Sequence, residues 1–238
     1  MNFISIVRKI LNFFDSFQQK KIIRLINNKF STPIIIFDIG AHYGETIKIF
    51  QKKINCKKIY SFEASPINFK ILKENFRNNY CDKLEIYNYG VGKETISTFI
   101  NQTLESSSST INNLNIKSKY FHNKLKILNI KNKESFSKKI PINIISLDNF
   151  INEKKIHNID LLKIDTEGYE FNVLKGLNNS HNIIKLIYFE HHYDDMILKN
   201  YKFSDIHYLL KSYGFKKIIK SKMLFRKSFE YVYENQIE

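Results

Sequence analysis

The chain has 238 residues, 43% of them hydrophobic, with only 7 Gly and 3 Pro. It is long and apolar enough to bury one α/β core, which excludes a disordered or low-complexity protein. Lysine and arginine number 38 against 23 acids, a net charge of +15. The lysines are spread along a Lys-, Asn- and Ile-rich chain, so the charge alone does not identify a nucleic-acid binder.

Residues 1–30 are amphipathic, with Phe3, Ile6, Ile10, Phe13, Phe14 and Phe17 at helical spacing and Arg8, Lys9 and Lys20 between them. The pattern predicts a helical segment that packs over the domain; peripheral membrane contact is the alternative. Arg8, Lys9 and Asp15 interrupt any apolar signal region, and no stretch is long enough to span a bilayer. Cys56 and Cys81 form no C-x-x-C. Neither a zinc knuckle nor a disulfide framework is expected, and a reducing cytoplasm fits.

Residues 31–238 read as a single domain with an insertion at about 102–139. Ile34 to Ile39 is an apolar, β-branched run carrying one acid, Asp38, and predicts a strand buried on both faces. Gly40 and Ala41 follow, and a helical pattern starts after Gly44. In a parallel sheet this turn lies at the carboxyl edge, where Gly40 would let a ligand approach the backbone. G-x-G-x-x-G and G-K-[ST] are both absent, which argues against a pyrophosphate site.

Lys57 to Glu63 predicts a second strand ending in an acid, with Ser65 capping the next helix and Pro66 at its first position. Glu63 at that place suits the two hydroxyls of a ribose. Leu84 to Asn88 predicts a third strand, YGVG a turn, Glu94 to Asn101 an edge strand and Glu105 to Thr110 a polar loop. Lys117 to Lys139 shows no periodicity.

Ile140 to Ile145 predicts another strand, with Ser146 capping a helix. Ile159 to Ile164 ends in Asp165; an acid-rich turn and a helix follow, stopped by Gly176. Ile183 to Phe189 ends in Glu190, His191 and His192. A helix over Ser204 to Tyr213 and two last strands complete the chain. The alternation predicts an α/β fold: a doubly wound, mostly parallel sheet with an antiparallel C-terminal strand.

Asp38, Glu63, Asp165 and Glu190 then end strands on one edge. Like charges placed together need a cation, a metal or a hydroxyl-rich ligand as partner. A sulfonium cofactor with a ribose offers both a charge and a diol. No further ligand spacing supports a metal, and none is expected.

The segments DIGAHYGET, FEASPINFKIL, SLDNFI and IDLLKIDTEGYEFNVLKGL resemble the FkbM-type methyltransferases, a class I S-adenosylmethionine-dependent family, over about residues 34–192. Lys163 to Glu170, K-I-D-x-E-G-x-E, is the most specific part. The family usually has Asn where this chain has His42.

The resemblance implies a seven-stranded Rossmann-like fold, S-adenosylmethionine as cofactor and O-methylation of a hydroxyl on a sugar, glycan or related metabolite. Asp38, Gly40 and Gly44 would frame the methionine and ribose, with His42 contributing through its backbone. Glu63 would bind the ribose hydroxyls, and Ala64 and Val91 would flank the adenine. Asp165 would face the methyl group and the acceptor.

An alcohol needs a base; the candidates are Asp165, His191 and Glu167, in that order. Glu167 and Glu170 have two alternatives, holding the turn or binding a divalent ion with Asp165 through oxygen ligands. Competing readings are a nucleic-acid binder or nucleic-acid methyltransferase, for which the sequence offers no N/D-P-P-Y motif or arginine cluster, and a catalytically inactive scaffold.

Overall fold

The computed structural model describes residues 20–77, 82–223 and 227–236. Most of the amphipathic N-terminal pattern lies outside the described residues, as does Cys81. The elements in chain order begin with a helical segment over 20–29 (α1), followed by β1 (Ile34–Ile39), α2 (Glu45–Lys53), β2 (Cys56–Phe62), α3 (Pro66–Asn75) and β3 (Leu84–Tyr87). Next come β4 (Gly90–Gly92), β5 (Ile96–Thr103), α4 (Lys119–Ile127), β6 (Ser137–Ser146) and α5 (Leu147–Lys154). The chain continues with β7 (Ile159–Ile164), α6 (Glu170–Lys175), β8 (Ile184–His192), α7 (Phe203–Ser212), β9 (Phe215–Lys222) and β10 (Ser228–Asn235).

The alternation of apolar runs and capped helices builds a seven-stranded sheet of order β3-β2-β1-β7-β8-β10-β9. The β1–β2, β1–β7, β2–β3 and β7–β8 pairs are parallel, and β10 runs antiparallel to both its neighbours. This is the doubly wound fold read from the sequence. The order reverses between β1 and β7, and such a switch leaves a crevice at the carboxyl ends of the strands.

Both faces are covered. Phe37, Ile39, Leu162, Ile164, Ile187 and Phe189 pack beneath α5, α6 and α7. Ile34, Ile36, Ile59, Leu161 and Leu186 pack on the opposite face with Ile47 and Phe50 of α2 and Leu72 of α3. Ile22 and Ile26 of α1 are buried in that second layer. The stripe from Phe3 to Phe17 lies outside the described residues; of the segment, only residues 20–30 are described, and there Ile22 and Ile26 pack on the domain. Among the described residues, no helix is long and apolar enough to cross a membrane.

The capping chemistry holds. Ser65 accepts from Asn68 N at 3.2 Å, and Ser146 accepts from Asn149 N at 3.2 Å. Each satisfies an N–H that the first helical turn leaves without a partner.

The middle of the chain differs from expectation. YGVG is not a turn: Gly90–Gly92 is β4. The runs over Glu94 to Asn101 and Ile140 to Ile145 do not join the main sheet. They form a separate sheet, β4-β6-β5, parallel between β4 and β6 and antiparallel between β5 and β6. Its cluster of Ile100, Ile142 and Ile144 gives the alternation a second, smaller face to bury against.

The stretch Lys117 to Lys139 is also built. Ser118 caps α4 by accepting from Phe121 N at 2.9 Å. Phe121, Leu125 and Phe136 form a satellite core with Met196 and Ile197. Gly176 is not a left-handed stop, since its φ is −77°. It is small because a Cβ there would stand 2.2 Å from the carbonyl oxygen of Gly92.

Candidate active site

β1, β2 and β7 are parallel and in register, with Asp38 opposite both Ser61 and Lys163. Glu63 lies two residues past Ser61, and Asp165 two past Lys163. All three acids therefore reach the same carboxyl edge, on either side of the switch between β1 and β7.

Asp38 is fully buried. Ser61 Oγ donates to its Oδ2 at 3.1 Å, and Lys163 Nζ lies 3.1 Å from its Oδ1. The same ammonium sits 3.6 Å from Asp165 Oδ2 and donates to the Gly40 carbonyl at 3.2 Å. Burial alone would depress the Lys163 pKa, but Asp38 and then Asp165 outweigh it and raise it. The cation that Asp38 faces is thus the chain's own. Lys163 ties β1, the glycine turn and Asp165 together. Its signal in the sequence was a lysine inside a buried strand whose other charge, Asp160, lies at the strand's start, a residue that requires a partner.

Gly40 has φ +84°, and a Cβ there would fall 1.8 Å from the Asp165 carbonyl oxygen. The space that a Cβ would need is taken by the chain's own backbone. Asp165 N in turn donates to the Ile39 carbonyl at 2.9 Å. Gly44, at φ +89°, leaves room for Leu72 of α3 and for Phe76, which follows that helix.

His42 also has a left-handed backbone, φ 52°, a conformation in which Asn, Asp and His are enriched. Its N–H donates to Glu63 Oε2 at 2.8 Å. Its ring stacks on Tyr43, and its Nε2 lies 2.8 Å from Ser106 Oγ, in the insertion. The His42 backbone therefore serves the site, and its side chain ties the insertion to it.

Glu63 Oε1 accepts from Ser65 N at 2.9 Å and from Asn68 Nδ2 at 3.5 Å. Burial, opposed by these bonds, lifts its pKa to about 7. A carboxylate has about four acceptor positions. The chain uses three, which leaves capacity for a hydroxyl. Beside Glu63, Ala64 is half-buried and Val91 is buried in the core, so Val91 can offer a flat ligand only its backbone.

The turn after β7 is strained. Glu167 has φ 49° and Gly168 φ 93°. Glu170 holds it from below, accepting from Gly168 N at 2.8 Å and from the Tyr201 hydroxyl at 2.6 Å. The insertion holds it from above: Thr110 Oγ1 donates to the Glu167 carbonyl at 2.7 Å, and Asn112 Nδ2 to that of Gly168 at 2.5 Å.

The two histidines of β8 point to opposite faces, as alternation requires. His191 is 3% exposed, and its ring lies 4.8 Å from Tyr193, 5.7 Å from Phe203 and 5.8 Å from Tyr201. Burial pushes its pKa down to about 3. The fold thus places His191 in the aromatic layer of Tyr193, Tyr201 and Phe203.

His192 faces the acids. Its Nε2 is 3.5 Å from Glu167 Oε2 and 3.5 Å from Glu190 Oε1, and its Nδ1 is 3.5 Å from Asp194 Oδ2. Burial opposes its charge, but Glu167 and then Glu190 outweigh burial and lift it to about 10. Glu167 is itself lifted by burial to about 8. The cluster therefore holds one imidazolium among acids, with Glu167 the acid able to take a proton near neutrality. His192 was not singled out in the sequence, because nothing local tells which of two adjacent histidines faces the cleft.

The chain matches a family described as Methyltransferase FkbM domain over residues 38–217. Methyltransferase 1 of Beauveria bassiana (strain ARSEF 2860) is 24% identical over 161 residues, which are 64% of this chain and 61% of that protein. The chain thus spans less than two thirds of that relative. A solved FkbM methyltransferase of Methylobacillus flagellatus KT superposes with a TM-score of 0.55 at 16% identity, over 86% of this chain and 44% of the other. An rRNA methylase of Streptococcus thermophilus superposes with a TM-score of 0.50 at 9% identity, over 90% and 93%. At these identities the solved structures share the fold with this chain.

Proposed function

The chain belongs to the FkbM methyltransferase family, and from that premise we propose that it is an S-adenosylmethionine-dependent O-methyltransferase acting on a hydroxyl of a sugar, glycan or related metabolite. The observation that carries this reading is the convergence of Glu63, Asp165 and the Gly40 turn at the switch between β1 and β7.

The donor set fits the cofactor. Glu63 has acceptor capacity for a ribose hydroxyl, and Ala64, next to it in sequence, would flank the base together with Val91. Bound there, S-adenosylmethionine supplies a methyl group on a positively charged sulfur. Asp38 and Lys163 act behind the site, holding the Gly40 carbonyl and Asp165 in place. Positioning of this kind is worth several kcal/mol when reacting atoms are held close and aligned.

As the acceptor oxygen gains the methyl group it gives up its proton. Asp165 and Glu167, the acids of the turn after β7, are the candidates to take it, and burial gives Glu167 the raised affinity for a proton that a base near neutral pH requires. His191 is set aside by its place in the aromatic layer. The acids around His192 favour a cation over an anion in the cleft.

Transfer of a labelled methyl from S-adenosylmethionine to a panel of glycans and small polyols tests the reading, with Glu167→Gln and Asp165→Asn as variants. Product in the parent, and a loss of roughly a hundredfold in either variant, is expected. Salt-steep, tight binding of RNA or DNA in a gel shift, with transfer to a base, would replace it.

A further inference from the structure

The insertion carries charge that the candidate site does not use. Lys117 to Lys139 holds eight lysines, no arginine and one acid, Glu134. Lys124 pairs with Glu105. The other seven lysines are all exposed.

The fold gathers this charge into a lobe. Phe121 and Leu125 of α4 turn onto the satellite core with Met196 and Ile197, which leaves Lys119, Asn123 and Lys126 on the outside of the helix. Lys131 and Lys133 follow on the loop that leads to Phe136, which closes the same core. The lobe stands at the carboxyl edge of the main sheet. Thr110 and Asn112, at its base, hold the Glu167 and Gly168 carbonyls, and Met196 lies just past the end of β8. The exposed acids on these segments are Glu134 in the lobe and Asp195 beneath it.

Aliphatic side chains are exposed on the same segments. Ile116 is 54% exposed, Ile127 60% and Leu198 53%. Asn115 N donates to the Met196 carbonyl at 2.7 Å, and Leu198 N to that of Asn113 at 2.9 Å. Ile116 and Leu198 therefore flank one short antiparallel ladder, centred on the Leu114–Ile197 bridge. Ile127 ends α4 next to Lys126.

Lysine with exposed aliphatic residues suits an anionic bilayer. Ammonium groups meet lipid phosphates, each worth roughly a fivefold gain in binding, while aliphatic tips enter the acyl boundary. Nucleic acid is held by different chemistry, stacking on aromatic rings and arginine. Here Phe121 and Phe136 are buried, Tyr120 is half-buried and arginine is absent from 117–139.

We propose that this lobe docks the protein on an anionic phospholipid surface, with the carboxyl edge of the sheet turned toward it. The docking goes beyond the methyltransferase reading and does not depend on it.

The test is co-sedimentation of the full chain with vesicles of phosphatidylglycerol and phosphatidylcholine in equal parts, against phosphatidylcholine alone. The parent is expected to bind the anionic vesicles at least roughly tenfold more tightly, and less so as salt rises from about 0.1 to about 0.5 M. Lys126→Gln, Lys131→Gln and Lys133→Gln combined should weaken that binding about a hundredfold. A charge-matched control combines Lys53→Gln, Lys57→Gln and Lys216→Gln. These lysines are exposed at the opposite edge of the sheet, where α2 ends and β2 and β9 begin. The control should stay within about threefold of the parent. All six positions are exposed, and thermal melting checks that both variants fold.

No preference of the parent for anionic vesicles would overturn the proposal. So would a lobe variant that binds like the parent, which would move any contact to residues 1–19. Equal losses in the two variants would assign the binding to bulk charge. Binding of single-stranded RNA more tightly than vesicles, lost in the lobe variant, would make the lobe a nucleic-acid surface instead.

Discussion

Lys163 Nζ lies 3.1 Å from Asp38 Oδ1, across the parallel β1–β7 pair and at the point where the strand order reverses. Both side chains are almost wholly removed from water, at 5% and 0% exposure. Strands with no connection in sequence are thereby locked together beneath the Gly40 turn. Removing one partner of a buried pair strands the other charge, at a cost of about 3–5 kcal/mol. Urea unfolding of Lys163→Met should show a loss of that size, and Asp38→Asn added to it should restore most of the stability. A single variant within about 1 kcal/mol of the parent would mean that the pair does not organise the site.

Gly40 is the second structural requirement. A Cβ would stand 1.8 Å from the Asp165 carbonyl, and φ +84° adds strain for any L side chain. The contact is with backbone, so it is not relieved by a rotamer change. Gly40→Ala should cost on the order of 2–4 kcal/mol and displace Asp165. Thermal unfolding, followed by S-adenosylhomocysteine titration of whatever folds, reads both effects. Unchanged melting and binding would show that the β1 turn and Asp165 are not packed as described.

Glu63 couples binding to pH. Its pKa is lifted by burial from 4.5 to about 7. A carboxyl raised on folding favours the folded state while it is protonated, so its contribution is lost as pH rises from about 4.5 to about 7. The loss is on the order of 3 kcal/mol. Ligand binding has the opposite sign, because the ionised form accepts hydroxyls better. S-adenosylhomocysteine affinity should therefore rise with pH through about 7 and level off above it. Glu63→Gln should flatten both profiles and weaken binding by roughly tenfold. A parent affinity independent of pH between about 5 and 8 would remove Glu63 from the ribose site.

His192 gives a profile in another window. The surrounding acids lift its pKa from 6.5 to about 10. A histidine raised on folding stabilises fully below its unfolded pKa, and that stability disappears as pH rises through the folded value. Unfolding free energy should therefore fall between about pH 6.5 and 10, by on the order of a few kcal/mol. His192→Asn should lack most of that fall, whereas His191→Asn should retain it. If the two variants behave alike, the assignment of their faces is reversed.

The sequence carried the main sheet because its strands are short apolar runs separated by capped helices, a pattern dominated by local chemistry. Ser65 with Pro66, and Ser146, marked helix starts that the structure keeps. The second sheet was hidden because β4 is two glycines around Val91, which read as a turn. The helix α4 was hidden by its lysines: Lys119 and Lys126 are exposed and Lys124 pairs with Glu105, while Phe121 and Leu125 point inward. At the site, Glu63 and Asp165 were legible as acids closing buried strands. The pairing of Lys163 with Asp38 and the facing of His192 depend on register between strands, which is set by the whole sheet.

The central claim is that the carboxyl edge between β1, β2 and β7 is built for S-adenosylmethionine. Isothermal titration of S-adenosylhomocysteine into the parent chain and into Glu63→Gln tests it most directly. Saturable binding at one site per chain, in the micromolar range typical of cofactors and weakened in the variant, is the expected result. No measurable heat in the parent, or equal affinity in the two proteins, would contradict it.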